Sequence, residues 1–167
     1  MTHIRAATRL MLLAAMLFTI GCDRVTKHIA TETMAGGAER TYLGDTLRLA
    51  YVENRGGFLG LGADLAPTAR TQIFTVGTGV LLLALIAAAF KLPWHPWSLL
   101  GIAFFVAGGA SNWIDRVVRG SVVDFLNIGI GPLRTGIFNF ADVAIMVGFG
   151  LIVIGELWKS ESSDHPG

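Results

Sequence analysis

Two aspartates carry the chemistry open to this chain. Asp124 lies in Val122-Val-Asp-Phe125 and Asp142 in Phe140-Ala-Asp-Val143, each flanked by apolar residues and each near an expected helix boundary. Carboxylates held close together in such surroundings cannot both ionise, so one keeps a proton while the other acts as general base on water. The pair titrates as a unit, and its protonated member polarises a carbonyl and later donates to a leaving nitrogen. That is aspartic-protease chemistry. Asp142 taken alone also reads as an N-cap, since Asp is favoured at helix starts. Asp115 is a third carboxylate, but Arg116 beside it and Asn112 one turn earlier suggest a structural ion and hydrogen-bond network.

Other chemistries find little support. No serine or cysteine has a plausible histidine base, because His3 and His165 sit in the tails, His28 just after the first apolar stretch and His95 in a turn. A single cysteine, Cys22, excludes an intrachain disulfide and a Cys-based zinc or iron–sulfur site. No metal and no cofactor are expected. Thirteen Lys and Arg against twelve Asp and Glu leave a net charge of +1, too small a field to collect nucleic acid.

The elements that position the aspartates follow from composition. Only 15% of the residues are charged and 53% are hydrophobic, where soluble domains carry roughly 25% charged residues. An integral membrane protein is the consequence. Thr71 to Phe90 and Leu92 to Ile114 are uncharged runs of 20 and 23 residues, and a helical crossing takes about 20. The Lys91-Leu-Pro-Trp-His-Pro-Trp97 fragment between them reads as a tight interfacial turn.

The N-terminus allows two readings. Leu10 to Cys22 is an uncharged run of 13 residues after Arg5 and Arg9, and Thr19-Ile-Gly-Cys22 loosely resembles a lipobox. A helix continuing to Lys27 is instead long enough to span. The chain is read as a single domain, 1–167, with helices near 6–27, 70–90, 97–116 and 138–158. Between the first two lies an extramembrane segment, 28–67, and residues 160–167 form a disordered tail. Arg40 to Val52 alternates around Gly44-Asp45 as a short hairpin would. The fold class is thus an all-α polytopic membrane protein with four transmembrane helices and a small extracytoplasmic β element between helices 1 and 2.

Polar residues gather at the helix ends sharing one face: Asp23 with Lys27, Asn112 with Asp115 and Arg116, then Asp124, Asn139 and Asp142, beside Asn54 in the outer segment. Ionisable groups at membrane depth are functional candidates by default. With both termini cytoplasmic, nine of the thirteen basic residues fall on the outer side. This excess opposes the positive-inside tendency, so it needs a functional reason. The gathering of polar residues at that face supplies one, and the outer arginines would also attract anionic phospholipid heads.

The motifs Asp23-x-x-Thr-Lys27, Asn54-x-Gly56 with Phe58, Asn112-x-x-Asp115-Arg116, Gly120-x-Val-Val-Asp124-Phe125 and Phe138-Asn139-x-Ala-Asp142 stand in this order. Together they resemble the bacterial lipoprotein signal peptidase family, signal peptidase II. The resemblance implies a multi-pass inner-membrane aspartyl endopeptidase with its active site at the periplasmic face; separately, a monomer is expected. Its substrates would be diacylglyceryl-modified prolipoproteins, cut before the lipobox cysteine, and membrane phospholipids would be its other partners. By the same carry-over, Asp124 and Asp142 are the catalytic pair. Asn54, Asn112, Arg116 and Asn139 would hold substrate and order the site, Asp23 and Lys27 would brace it, and segment 28–67 would act as cradle and flap. It also places Asp23 to Lys27 at the end of the first helix.

Two features depart from the family pattern. Asn54-Arg-Gly-Gly-Phe58 is one residue shorter than usual before its phenylalanine, and Ser111 stands where a glycine commonly precedes the asparagine. A non-catalytic membrane protein that binds lipidated peptides is the alternative that shares every residue named. The Gly-x-Gly-Asp signature of other intramembrane aspartyl proteases is absent, and a one-face cluster argues against a transporter.

Overall fold

A computed structural model describes residues 6–164; Arg5 and the two tail histidines of the sequence reading lie outside them. Four long helices dominate: α1 (Ala6–Met34), α2 (Pro67–Lys91), α3 (Pro96–Arg119) and α4 (Phe140–Asp164). Three segments, Pro67–Lys91, Pro96–Arg119 and Phe140–Ser160, are long and apolar enough to cross a membrane. The fourth long helix, α1, exposes Leu10, Met11, Leu13, Leu17 and Phe18 along its first half. Such a belt of outward apolar side chains is what a lipid-facing surface requires.

Small residues set the helix packing. A Cβ at Gly108 would lie 2.4 Å from the Ala141 carbonyl oxygen, and one at Gly109 would lie 2.7 Å from a Leu82 methyl. Both glycines thus let α3 approach α4 on one side and α2 on the other, the close packing that membrane helices rely on. Leu82, Ile102 and Val106 form the buried centre of that contact. The expected turn at 91–97 is present. Trp94 Nε1 donates to the Ala88 carbonyl at 2.9 Å, and His95 Nδ1 caps α3 ahead of Pro96.

Two boundaries differ from the sequence reading. α1 does not stop at Lys27 but runs to Met34, because Ala30 and Met34 are buried against Val123 and Phe125 and give its last turns a core to join. The first turns of the segment expected from residue 28 are therefore helical. α4 runs on through Ser160 to Asp164, so the stretch expected to be disordered from 160 is helical to that point; residues 165–167 lie outside the described residues.

The β element is also larger than a hairpin between the first two helices. β1 (Arg40–Tyr42) and β2 (Leu47–Asn54) form that hairpin, and β2 pairs with β3 (Val122–Ile130), which pairs with β4 (Leu133–Arg134). All pairings are antiparallel, in the order β1-β2-β3-β4. Two strands thus come from the α3–α4 connection. Gly120, with φ +74°, ends α3 in the left-handed cap conformation and turns the chain into β3. Val122 to Phe125 are buried, so β3 forms the floor between the sheet and the helix ends.

Candidate active site

Register brings the outer segment to the first aspartate. Val52 faces Asp124 across the β2–β3 pair and Asn54 faces Val122. Asn54 is therefore the diagonal neighbour of Asp124 on the same face. Its Nδ2 donates to Asp124 Oδ2 at 2.9 Å and to the Gly57 carbonyl at 2.9 Å, while its Oδ1 accepts from the Gly56 N–H at 2.8 Å. Shortening of the loop has not separated Asn54 from the aspartate. Gly56 tolerates no side chain, since a Cβ would lie 2.5 Å from the Leu61 carbonyl oxygen, and Gly57 N–H closes the loop on that same oxygen at 2.7 Å.

The second aspartate is fixed by a helix start. Asn139 Oδ1 accepts from the Asp142 N–H at 3.0 Å, and Asp142 Oδ2 accepts from the Asn139 N–H at 3.1 Å, a reciprocal capping box. The cap itself is Asn139, so Asp142 is not the N-cap, and its other oxygen accepts from Asn112 Nδ2 at 2.9 Å. Asn139 Nδ2 meanwhile reaches Asp124 Oδ1 at 2.6 Å and Asn112 Oδ1 at 3.2 Å. A single residue thus binds both carboxylates.

Beneath this pair lies an ion network. Lys27 Nζ stands 2.7 Å from Asp23 Oδ2, 2.8 Å from Asp115 Oδ2 and 2.7 Å from Asn112 Oδ1. Asp23 Oδ1 accepts from the Ala141 N–H at 2.9 Å, tying α1 to the first turn of α4. Arg116 does not pair with Asp115. It turns the other way, donating from Nη2 to the Gly56 carbonyl at 2.7 Å, and Asp115 takes Arg24 as its second cation.

Arg24 and Ser111 are the participants the sequence reading did not assign. Ser111, fully buried, donates to Asp23 Oδ2 at 2.6 Å, so the serine at the departing position adds a hydrogen bond where glycine could make none. Its adjacency to Asn112, on a helix face turned to α1, was the available signal. Arg24 follows Asp23 directly, one position away from the face the Asp23–Lys27 spacing marks, and nothing in the sequence assigned it a partner.

Burial decides the electrostatics. Asp23, Asp115 and Asp124 are at most 2% exposed and Asp142 is 8% exposed. Four carboxylates meet three cations, Arg24, Lys27 and Arg116, and net charge is costly in so dry a place. On the sheet side, burial pushes Asp124 up to about 6, helped by the nearby Asp142 charge and opposed by the hydrogen bonds from Asn54 and Asn139. A cavity of about 310 Å³ opens on Asp124, with Asn54, Leu59 and Ile137 among its walls. The arrangement offers a carboxyl that holds its proton well above the ordinary carboxylate range, a linked second carboxyl and an opening beside them.

Known proteins resemble the chain over most of its length. The family model described as signal peptidase (SPase) II matches residues 15–158. The lipoprotein signal peptidase of Moorella thermoacetica is 35% identical over 140 residues, covering 83% of this chain and 85% of that protein. That of Streptococcus pneumoniae is 31% identical over 146 residues, covering 85% and 89%. A solved structure described as a bacterial membrane enzyme, determined by the in meso method, superposes with a TM-score of 0.79 at 29% identity, covering 94% of this chain and 93% of that one. A second structure described in the same words gives a TM-score of 0.74 at 28% identity, covering 88% and 92%.

Proposed function

This chain belongs to the signal peptidase II family, and from that premise we propose that it is an aspartyl endopeptidase acting on diacylglyceryl-modified prolipoproteins. It cuts immediately before the lipid-bearing cysteine. Asp124 and Asp142 are the catalytic pair: the ionised carboxylate takes a proton from water, whose oxygen adds to the scissile carbonyl carbon, while the protonated partner hydrogen-bonds the carbonyl oxygen. Collapse of the tetrahedral species breaks the C–N bond, and the leaving nitrogen takes up a proton from the pair.

The observation that carries this reading is Asn139, whose Nδ2 lies 2.6 Å from Asp124 Oδ1 and whose N–H lies 3.1 Å from Asp142 Oδ2. One residue at a helix cap, through its side-chain amide and its backbone N–H, sets the spacing of two carboxyls that come from a strand and a helix. Asn54, Asn112 and Arg116 order the site and hold the substrate backbone; Asp23, Lys27 and Asp115 brace it from below. The loop after β2 serves as a flap. Its Phe58, Leu59 and Leu61 are solvent-facing apolar side chains next to the opening, suited to resting on lipid.

In the membrane, α1 is the fourth crossing, its exposed apolar half matching the belts of the other three helices. Both termini lie on the cytoplasmic side of the inner membrane, and the aspartates lie at the periplasmic surface. There the acyl chains of the substrate stay in lipid while water reaches the carboxyls, each buried methylene contributing about 0.8 kcal/mol. The enzyme works as a monomer. The test is cleavage of a diacylglyceryl-modified prolipoprotein by the purified protein, with Asp124→Asn and Asp142→Asn alongside. Cleavage before the cysteine by wild type alone supports the reading, and a folded wild type inert on several substrates sinks it.

A further inference from the structure

A second cavity on the same face, about 460 Å³, lies between the end of β2, the start of α2 and the end of α3. Arg55, Arg70, Arg116 and Arg119 line it against the single carboxylate Glu53. It shares Glu53 and Arg55 with the opening onto Asp124 but has neither aspartate in its wall. We propose that this cavity binds the phosphate of an anionic phospholipid from the adjoining leaflet. The proposal rests on the membrane placement of the chain and is independent of the peptidase reading.

Three observations converge on that ligand. First, the charge is concentrated and only partly spent. Arg70 donates to the Ala63 carbonyl at 2.7 Å and Arg116 to the Gly56 carbonyl at 2.7 Å. Each bond fixes a guanidinium in place while leaving most of its five N–H groups to other acceptors. Second, Arg55 and Arg119 lie in the same wall as Arg70 and Arg116, so four guanidinium groups surround one opening. Arginine forks match phosphate oxygens better than any other side chain does.

Third, the location is that of a lipid headgroup. α2 begins at Pro67 and α3 ends at Arg119, so the cavity sits at one common end of two membrane-crossing segments. Val117 in its wall and the adjacent Val118 are exposed apolar side chains, a surface for acyl chains continuous with the cavity. A free phosphate satisfies the arginines but has no use for that surface. The diacylglyceryl cysteine of the proposed substrate carries no phosphate, so this would be a separate lipid. The surplus of outer arginines thereby gains a specific place to act.

The test is native mass spectrometry of the full chain in mild detergent, offered equal amounts of phosphatidylglycerol and phosphatidylcholine with identical acyl chains. Wild type should retain phosphatidylglycerol preferentially. The double variant Arg55→Gln/Arg119→Gln should cut that preference by about 30-fold, from roughly five- to sixfold per arginine near a membrane surface. Arg55→Lys/Arg119→Lys should keep most of it, which separates charge from misfolding, and Arg9→Gln at the opposite end of the bundle should leave it unchanged. Equal retention of both lipids by wild type, or loss of preference on Arg9→Gln, overturns the proposal. Full competition by equimolar glycerol phosphate, which lacks acyl chains, overturns the lipid assignment in favour of a soluble phosphate. Cleavage assays on the same preparations report on the peptidase reading separately.

Discussion

Lys27 Nζ sits 2.7 Å from Asn112 Oδ1, and this contact fixes which end of the Asn112 amide faces Asp142. With its oxygen held by the ammonium, Asn112 can only turn Nδ2 outward, where it meets Asp142 Oδ1 at 2.9 Å. A buried cation on the first helix thus sets hydrogen-bond polarity at a carboxyl on the last one.

Replacing Lys27 with Met should therefore do two things together. It leaves Asp23 and Asp115 buried without their shared cation, at a cost of about 3–5 kcal/mol, and it frees the Asn112 amide to flip. Thermal unfolding in detergent should show the loss of stability. A Lys27→Met protein as stable as wild type would mean that the network is not what holds α1 to α3.

Asp124→Asn and Asp142→Asn should each lower cleavage by about 10²–10⁴-fold or more, the range attributed to positioned acid–base groups, while the helical circular dichroism stays unchanged. Turnover within a few-fold of wild type in either variant would place the chemistry on other residues.

Asp124 should also leave a mark on stability against pH. Its value near 6 in the fold exceeds the ordinary 3.8, so the native state holds this proton more tightly than the unfolded chain does. The resulting stabilisation is complete below the ordinary value and is lost as pH rises through 6, an effect of about 1–3 kcal/mol. Melting temperatures measured from pH 4 to 7 should fall less steeply in Asp124→Asn than in wild type. Parallel slopes would mean that Asp124 titrates normally.

Ser111→Gly should cost about 1–3 kcal/mol, because Asp23 Oδ2 loses a hydroxyl donor in a fully buried place. Ser111→Ala keeps the side-chain carbon and should lose a similar amount, and the comparison in thermal melts isolates the hydrogen bond. No change in either variant would reduce the serine to a packing residue.

Gly56→Ala forces a methyl group to within 2.5 Å of the Leu61 carbonyl oxygen. The loop has to shift, carrying the carbonyl that Arg116 holds and the N–H that orients Asn54. Cleavage should fall at least tenfold while the melting temperature, set by the helices, moves by only a few degrees. Equal losses in both would show that the loop contributes to global stability.

The sequence by itself determined what periodicity, length and residue type control locally. The uncharged runs at 71–90 and 92–114 had to supply helices long enough to cross a bilayer, with a turn at Lys91 to Trp97 between them. The site residues were nameable for the same reason: carboxylates, amides and cations at helix ends are too costly in a membrane protein to be incidental. What each of them touches was decided by the tertiary structure. Nothing local places Asn54 diagonal to Asp124, because that depends on the register of β2 against a strand whose Asp124 lies 70 residues away. The run Val122-Val-Asp-Phe-Leu-Asn-Ile-Gly-Ile130 becomes β3 by pairing with β2 of the first hairpin, a partner that its own residues do not name. Likewise α1 gains its last turns from contacts with Val123 and Phe125, which its own sequence cannot supply. Arg116 leaves the neighbouring Asp115 for the Gly56 carbonyl because the folded loop brings an oxygen to that side of α3, while Lys27 and Arg24 arrive from α1 on the other.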